Sequence, residues 1–307
     1  MSRKIIFLIQ QHTNLLDVAG ASQVFGEAKE YGIDLEIVFT SLETNIKSGV
    51  GLPLGKITNF SNINLSEGDI LFIISTDIQY IMSDKYRVPH KFIEWIKNAY
   101  NNNVKICAIC NGAFLLAKTG LLDGRKCTTH WKRTKELQTL FPKLDVQENV
   151  IFVEDTGIIT SAGGTSGVDV SLHLLATLQN DYFAHKVARE LVVYQRRNGS
   201  DAQLSILLES RNHMHKGIHK VQDFVQSNLH KKVNLNKLSG IANMSYRNFC
   251  RIFKKETDLT TIQYINMVRK DRINNLIKNK DLSRKQIANL VGLESERQVS
   301  RLIKSYS

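Results

Sequence analysis

Short apolar runs alternate with amphipathic stretches over the first 195 residues of the chain. Six runs that are rich in β-branched residues predict strands at 4–9, 35–39, 69–74, 104–109, 149–153 and 157–162. Such runs are typical of strands that are buried on both faces of a parallel sheet. Helices are predicted at 16–31, 90–101, 111–119, 131–141, 166–179 and about 182–195. This alternation predicts an α/β fold with a flavodoxin-like, doubly wound parallel sheet.

The pattern changes after this region. The segment 197–212 begins with polar residues, Gly and Ser, which predicts a linker. Beyond it no strand pattern appears, and helices are predicted at about 213–229 and 261–279. We therefore expect an α/β domain at 1–196 and an all-α domain at 213–307.

A basic helix-turn-helix pattern occurs twice in the all-α part, at 237–255 and at 285–305. A shift of fifty residues places Arg251 on Arg301, and several apolar positions coincide as well. In each copy the second helix is apolar on one side and carries Arg and Lys on the other. A helix that enters the major groove needs this division, because apolar anchors hold it while polar groups face bases and phosphates. The helix between the copies would cover roughly 30 Å, close to the ~34 Å of one DNA turn.

The charge of the chain is concentrated in the same part. Residues 201–307 contain 20 Lys and Arg against 9 Asp and Glu, whereas residues 1–200 contain 21 against 20. A surface that displaces counterions from phosphates has this composition. A basic membrane-facing surface is the alternative, but these residues interleave with short, turn-separated helices and do not line one amphipathic stripe.

The C-terminal hundred residues resemble the AraC/XylS family of bacterial transcription regulators. The resemblance rests on MSYRNFCRIFKKETDL in the first copy, and on IANLVGL followed by VSRLIK in the second. It implies base-facing residues on both second helices, namely Arg247, Cys250, Arg251, Glu296, Arg297, Ser300 and Arg301. Arg can pair with guanine, Glu can accept from cytosine, and a Ser hydroxyl can bond either way. We expect Lys254, Lys255 and Lys304 to contact phosphates, and a phosphate contact or a solvated face is the alternative for each Arg.

Some positions depart from the pattern of that family. Asp258 stands where Gly is usual and Thr261 where Pro is usual. Aromatic residues that are common in the second copy are replaced by Leu293, Val299 and Ile303. The core of the first copy is predicted to contain Leu238, Ile241, Met244, Phe249 and Phe253.

The α/β part contains the segment AICNGAF, which ends a predicted strand and opens a helix with a small residue at the turn. In a nucleophile elbow, such a turn lifts Cys110 to the carboxyl edge of the sheet, beside a helix N-terminus that favours the thiolate. We expect further pocket residues around Cys110, namely Asp17 after the first strand, Asn111, Gly112, His130 of TTHW and Gly163 of SAGGTSGVD.

These segments resemble the PfpI-like branch of the class I glutamine amidotransferase superfamily, in the subset that is fused to AraC-type domains. The resemblance rests on LLDVAGASQVF, CNGAFLLAKTGLLDGRKCTTHW and TSAGGTSGVDVSLHLLA. Enzymatic relatives include cysteine proteases, deglycase-like proteins and isonitrile hydratase. The protease pattern has His after the elbow Cys and the hydratase pattern has Thr, whereas this chain has Asn111.

Three roles are open for Cys110. It can line a retained pocket for a small effector, act as a residual nucleophile or covalent sensor, or be a structural remnant. No adjacent base is evident, which favours the pocket, and His130 beside Trp131 is interpreted as a packing residue. Cys107 and Cys110 are not expected to bind a metal, because Cys107 lies inside a strand and no second ligand pair appears. No catalytic residue, metal or cofactor is predicted.

The sequence thus predicts a DNA-binding transcriptional regulator rather than an enzyme. Its expected partners are double-stranded promoter DNA, a small-molecule effector and a second copy of the chain. The alternatives are a cysteine-dependent hydrolase or hydratase with an accessory DNA-binding tail, and an interaction protein whose α/β domain only dimerises. No apolar stretch is long enough to span a bilayer, and four cysteines do not form a disulfide framework. A cytoplasmic location is therefore expected.

Overall fold

The structure is a computed structural model that describes residues 2–83, 86–277 and 282–305. The chain divides into two compact units, Met1–Gln203 and Leu204–Ser307. The predicted linker is therefore shared between them, because its first seven residues belong to the first unit and the others to the second.

A seven-stranded sheet forms the centre of the first unit. Its strands are β1 (Arg3–Leu8), β2 (Leu35–Ser41), β5 (Thr58–Asn59), β6 (Ile70–Ile73), β7 (Lys105–Ile109), β10 (Phe152–Asp155) and β11 (Ile158–Ser161). They lie in the order β10-β11-β7-β6-β1-β2-β5, and all neighbours are parallel except β10 and β11. Two small sheets pair β3 (Asn45–Lys47) with β4 (Pro53–Lys56), and β8 (Lys126–Cys127) with β9 (Asp145–Val146).

Helices cover both faces of this sheet. They are α1 (Leu15–Glu30), α2 (Ile78–Met82), α3 (His90–Asn101), α4 (Gly112–Lys118), α5 (Thr134–Leu140), α6 (Ser166–Leu178) and α7 (Asp181–Glu190). Successive residues of β1 point to opposite faces, as strand geometry requires. Ile5 and Phe7 pack in a core with α1 and α6, whereas Ile6 and Leu8 pack in a core with α3 and α4. The predicted doubly wound α/β fold is confirmed.

In the second unit, the described residues form helices that are joined by turns and loops, and they form no strand. Its helices are α8 (Ile206–Glu209), α9 (Lys216–Ser227), α10 (Leu235–Ile241), α11 (Tyr246–Thr257), α12 (Thr261–Ile277), α13 (Arg284–Leu290) and α14 (Glu296–Lys304). The two helix-turn-helix pairs are α10–α11 and α13–α14, and α12 connects them. The predicted end of the connector at 278–279 lies outside the described residues. Every helix in the described ranges is too short or too polar to span a membrane.

Candidate functional site

Cys110 stands at the point where β7 passes into α4. Its φ of 55° lies in the left-handed region, which non-glycine residues adopt at a cost in free energy. Two glycines make room for this turn, because a Cβ on Gly112 would overlap the carbonyl of Ile73 and a Cβ on Gly163 would overlap Cys110 itself. The Cys110 N–H donates to the carbonyl of Ser161 at 2.9 Å, which ties the elbow to the end of β11.

Asp17 of α1 is fully buried close to this elbow. The Gly164 N–H donates to Oδ1 of Asp17 at 2.5 Å. The neighbouring Gly163 lies against Cys110, so this glycine turn before α6 connects Asp17 with the elbow. Burial raises the pKa of Asp17 to about 6, and the bond from Gly164 and the Ser75 hydroxyl only partly offset this rise.

The thiol of Cys110 is buried as well. Burial raises its pKa to about 12, and the nearby Asp17 carboxylate adds to the effect. The Ser75 hydroxyl and the Asn111 N–H lower the pKa by less. Desolvation thus opposes the helix N-terminus, which favours the thiolate. The thiol carries its proton near neutral pH.

A cavity of about 490 Å³ opens in front of Cys110. Its wall contains three of the predicted pocket residues, Cys110, Asn111 and His130. The other three, Asp17, Gly112 and Gly163, do not line the cavity. The side-chain amide of Asn111 donates to the carbonyl of Thr76 at 3.0 Å, so this residue is fastened to the end of β6.

The rest of the cavity wall was not predicted. It consists of His12, Thr13, Asn14, Leu15, Gly49, Val50, Ser75, Thr76, Asp77, Lys132 and Arg133. Several of these residues lie in the segments that come after β1 and β6, at the carboxyl edge where ligands bind in doubly wound sheets. The sequence offered two signals for these residues. One is the tendency of ligands to bind at the carboxyl ends of the strands, and the other is the basic pair Lys132 and Arg133 shortly after His130.

His130 is half-buried at the cavity and close to two cations. Burial lowers its pKa, and the positive charges of Lys132 and Arg133 lower it further. Its Nδ1 accepts a bond from the Lys132 N–H at 3.4 Å, and its ring lies 5.7 Å from the ring of Trp131. Within the described residues, no group of three His, Cys, Asp or Glu is arranged to hold a metal ion.

The chain leaves the first unit through a segment that is fastened near the elbow. The guanidinium of Arg197 pairs with the buried carboxylate of Asp169 at 2.6 Å, and its backbone N–H donates to the same carboxylate at 3.0 Å. The guanidinium also donates to the hydroxyl of Thr165 at 2.6 Å. Thr165 follows directly on the glycine turn that touches Cys110.

Gln203 makes a second connection between this segment and the elbow. Its Nε2 donates to the carbonyls of Thr129 and Val150, each at 2.9 Å. The Thr129 hydroxyl donates in turn to the carbonyl of Cys110 at 2.8 Å. Residues 197–203 are therefore held on the first unit, and two short routes of contacts join them to the elbow.

In the second unit, α11 is buried on one side by Phe249 and Phe253. Three of the predicted contact residues on this helix, Arg247, Arg251 and Lys254, are exposed, and Cys250 is half-buried. The guanidinium of Arg251 is held by a residue of the same helix, because its Nη2 donates a hydrogen bond to Oδ1 of Asn248 at 2.9 Å.

The helix α14 has the same division, with Val299 and Leu302 buried. Its predicted contact residues Glu296, Arg297, Arg301 and Lys304 are exposed, and Ser300 is half-buried. A groove of about 580 Å³ runs along this surface and is lined by Ser295, Arg297, Gln298, Ser300, Arg301 and Lys304. All these side chains are polar, so the groove suits a polar, anionic surface better than a small apolar molecule.

Comparison with known proteins connects both units to characterised families. The chain matches the DJ-1/PfpI family over residues 3–177 and a helix-turn-helix domain over residues 238–307. It is 27% identical over 237 residues to the HTH-type transcriptional regulator CdhR of Pseudomonas aeruginosa, covering 77% of this chain and 69% of CdhR. It is 26% identical over 179 residues to the isonitrile hydratase of Pseudomonas putida, covering 58% of this chain and 73% of that enzyme.

Other curated regulators of Pseudomonas aeruginosa are matched over only 59–60% of their own lengths. A solved structure of an AraC family transcriptional regulator from Pseudomonas putida shares the fold, with a TM-score of 0.53 and 19% identity. That likeness covers 62% of this chain and 99% of the other. The match to the first family extends over more than half of the sequence, and the chain therefore belongs to the DJ-1/PfpI family, with a helix-turn-helix domain at its C-terminal end.

Proposed function

We propose that this protein is a sequence-specific DNA-binding regulator of transcription. The observation that carries the proposal is the pair of helices α11 and α14, each buried on one side and lined with Arg and Lys on the other. The excess of positive charge in residues 201–307 supports it, because phosphate neutralisation supplies much of the affinity for DNA. The transcriptional regulators among the relatives support it as well.

Base contacts and phosphate contacts have separate roles in this proposal. The base-reading residues are Arg247, Cys250, Arg251, Glu296, Arg297, Ser300 and Arg301. The lysines Lys254 and Lys304 position the protein on phosphates. Phosphate contacts fix the register without reading the sequence, so only the first group determines which promoters are bound.

The experiment replaces one arginine in each reading helix. Arg251→Ala and Arg301→Ala should each cost about 1–3 kcal/mol of discrimination between a selected promoter fragment and bulk DNA. The matched control is Arg189→Ala, which removes an exposed arginine from α7 of the first unit. Competition binding at moderate ionic strength measures the effect. A wild-type chain that prefers no promoter fragment over bulk DNA would contradict the proposal.

In the same proposal the cavity in front of Cys110 binds a small metabolite. Its volume of about 490 Å³ lies in the range of small-molecule sites. Charged and polar groups, among them Asp77, Lys132 and Arg133, stand around its wall. Such groups fix the orientation of a ligand once it has entered.

Binding in the cavity would reach the DNA-binding unit through residues 197–203. Arg197 and Gln203 support this route, because each is bonded to a residue that neighbours or contacts the elbow. Arg197→Ala should leave the basal affinity for DNA unchanged and should weaken the response to the effector. Arg196→Ala is the matched control, since Arg196 forms an exposed pair with Asp181 at 3.4 Å. Equal effector responses in both variants and in the wild type would rule out this route.

We also propose that the first unit forms a homodimer. A symmetric dimer places two DNA-binding units on one promoter, which raises the effective concentration of the second unit once the first has bound. Light scattering of the full chain tests the oligomeric state directly, and a monomer at all accessible concentrations would contradict this part.

The competing proposal is an enzyme that uses Cys110. The strained left-handed backbone of Cys110 favours it, because such strain is concentrated at functional sites. The protonated thiol opposes it, since the thiolate is the nucleophile. Alkylation of Cys110 by iodoacetamide should accordingly be slow at pH 7 and should accelerate at strongly alkaline pH. Fast alkylation at pH 7, with turnover that Cys110→Ala abolishes, would favour the enzyme.

A further inference from the structure

One difference between the two copies of the helix-turn-helix concerns a pair of equivalent positions that lie close together. In the second copy, the first residue of α13 is Arg284 and the fifth residue of α14 is Ser300. The Arg284 Nη1 donates a hydrogen bond to the Ser300 Oγ at 3.0 Å. In the first copy the same positions hold Leu235 and Cys250, and both pack against the hydrophobic core.

The backbone of Arg284 is fixed by a capping box. The hydroxyl of Ser283 accepts a bond from the Gln286 N–H, and the Gln286 side chain accepts one from the Ser283 N–H at 2.8 Å. A positive charge in the first turn opposes the helix dipole, and no acidic residue compensates it there. Arg284 is exposed. Its charge therefore serves a purpose other than the stability of α13.

We infer that Arg284 is a specificity-determining residue that makes Ser300 a hydrogen-bond donor to a base; this inference rests on the proposed DNA binding. A serine hydroxyl can donate one hydrogen bond and accept two. Arg284 occupies one acceptor position of the Ser300 oxygen. Its positive charge disfavours a second donor there, so the hydroxyl hydrogen is the group that is offered to the DNA. Among the described residues, Ser300 has no other side-chain partner.

This arrangement selects between classes of base in the major groove. Guanine O6 and N7, adenine N7 and thymine O4 are acceptors, and the cytosine amino group is a donor. A hydroxyl whose oxygen faces a guanidinium favours the acceptors, and the adjacent positive charge repels the amino group of cytosine. The pair Arg284–Ser300 should therefore read an acceptor on guanine, adenine or thymine and reject cytosine at one position of the binding site.

The test selects binding sites from a randomised DNA duplex library with the full-length chain. Variants Arg284→Ala and Ser300→Ala should lose the preference at one and the same base position, about five- to tenfold each. The double variant should lose no more than either single variant, because one hydrogen-bonded pair carries the effect. The double variant Arg284→Leu with Ser300→Cys introduces the residue types that the first copy has at Leu235 and Cys250. It should lose the preference as well.

Lys285→Ala is the matched control, because Lys285 is the exposed neighbour of Arg284 on α13. It removes the same charge and should lower the salt dependence of binding equally, by a slope of about one. It should keep the base preference at every position. Loss of the same preference in Lys285→Ala would overturn the inference, because charge alone would then explain it.

Two further results separate this inference from the proposed function. A wild-type chain that enriches a motif, together with an Arg284→Ala chain that enriches the identical motif, would overturn the assignment of Arg284 alone. A wild-type chain that enriches no motif would contradict the proposed DNA reading, and the assignment with it.

Discussion

The two helix-turn-helix copies share one backbone plan but have different cores. In the first copy the fully buried rings of Phe249 and Phe253 pack against each other, and Phe253 also packs against the buried Tyr264 of the connecting helix α12. At the equivalent positions of α14 the second copy has Val299 and Ile303, and its core is aliphatic. Aromatic side chains bury more apolar area than aliphatic ones, so the first copy gains more stabilisation from its own core.

The turns of the two copies differ by one residue. In the first copy, Asn243 takes the left-handed conformation with φ 54°, and in the second copy Gly292 does so with φ 69°. The second turn then has one more residue, Glu294, before its recognition helix begins. This insertion explains why the first helices superpose with a shift of 49 residues and the second helices with a shift of 50.

The second copy also docks on the rest of the unit. A Cβ on Gly292 would lie 2.5 Å from the carbonyl of Leu229, so the turn packs directly against the backbone that follows α9. The ammonium of Lys270 on α12 donates to the carbonyl of Ser305 at 2.8 Å. Both copies thus pack on neighbouring helices, and they differ in the size of the side chains that fill their cores.

The largest effect is expected from truncating the core of the first copy. Phe253→Ala should lower the free energy of unfolding by about 3–5 kcal/mol, because it leaves a large cavity. Val299→Ala, at an equally buried site in the second copy, should cost about 1–2 kcal/mol. Urea unfolding of the full chain, followed by helical circular dichroism, measures both. Equal losses would show that the two cores contribute alike.

A smaller effect is expected at the glycine of the second turn. Gly292→Ala should cost about 1–3 kcal/mol, because the left-handed backbone is strained for alanine and the Cβ meets Leu229. Gly240→Ala is the control, since Gly240 lies in α10 with open space around its Cα. This control should gain about 0.5–1 kcal/mol from helix propensity. Thermal unfolding resolves the opposite signs, and a neutral Gly292→Ala would contradict docking through this turn.

The smallest effect is expected at the start of the helix that joins the copies. Thr261 is the first residue of α12, a position that favours proline, and its buried hydroxyl has no hydrogen-bond partner in the described part of the chain. Thr261→Pro should raise the free energy of unfolding by about 0.5–1 kcal/mol, because it restricts the unfolded chain and removes the unpaired hydroxyl. Destabilisation measured in the same thermal assay would show that the Thr261 N–H is needed.

The sequence predicted most of the main elements, because their apolar periodicity is a local property. The boundaries of α3 match the prediction at both ends, since Pro89 and the left-handed Asn103 delimit that helix. The short strands β3, β4, β5, β8 and β9 were missed, because two to four residues carry too little periodicity. The departure at Asp258 is now understandable: with φ 59° it ends α11 in the conformation that glycine adopts at no cost.

The candidate pocket was predicted less completely than the fold. Cys110 and His130 were found from motifs, whereas Lys132, Arg133 and the residues after β1 and β6 come together only through the order of the strands. The burial that raises the pKa of Cys110 was not predicted, because a helix N-terminus is visible in a sequence and the depth of burial is not. The contacts of Arg197 and Gln203 join residues that are far apart in the chain, so they could not be predicted from a local sequence pattern.

The close contact between Gly292 and Leu229 has a consequence for the spacing of the operator. A turn that is seated on a backbone carbonyl leaves the second copy little freedom to rotate about α12. The angular phase between the two half-sites is then set by the protein, with a helical repeat of about 10–10.5 base pairs. Five base pairs inserted between the half-sites would turn the second one to the far side of the duplex, and the protein could then hold only one of them.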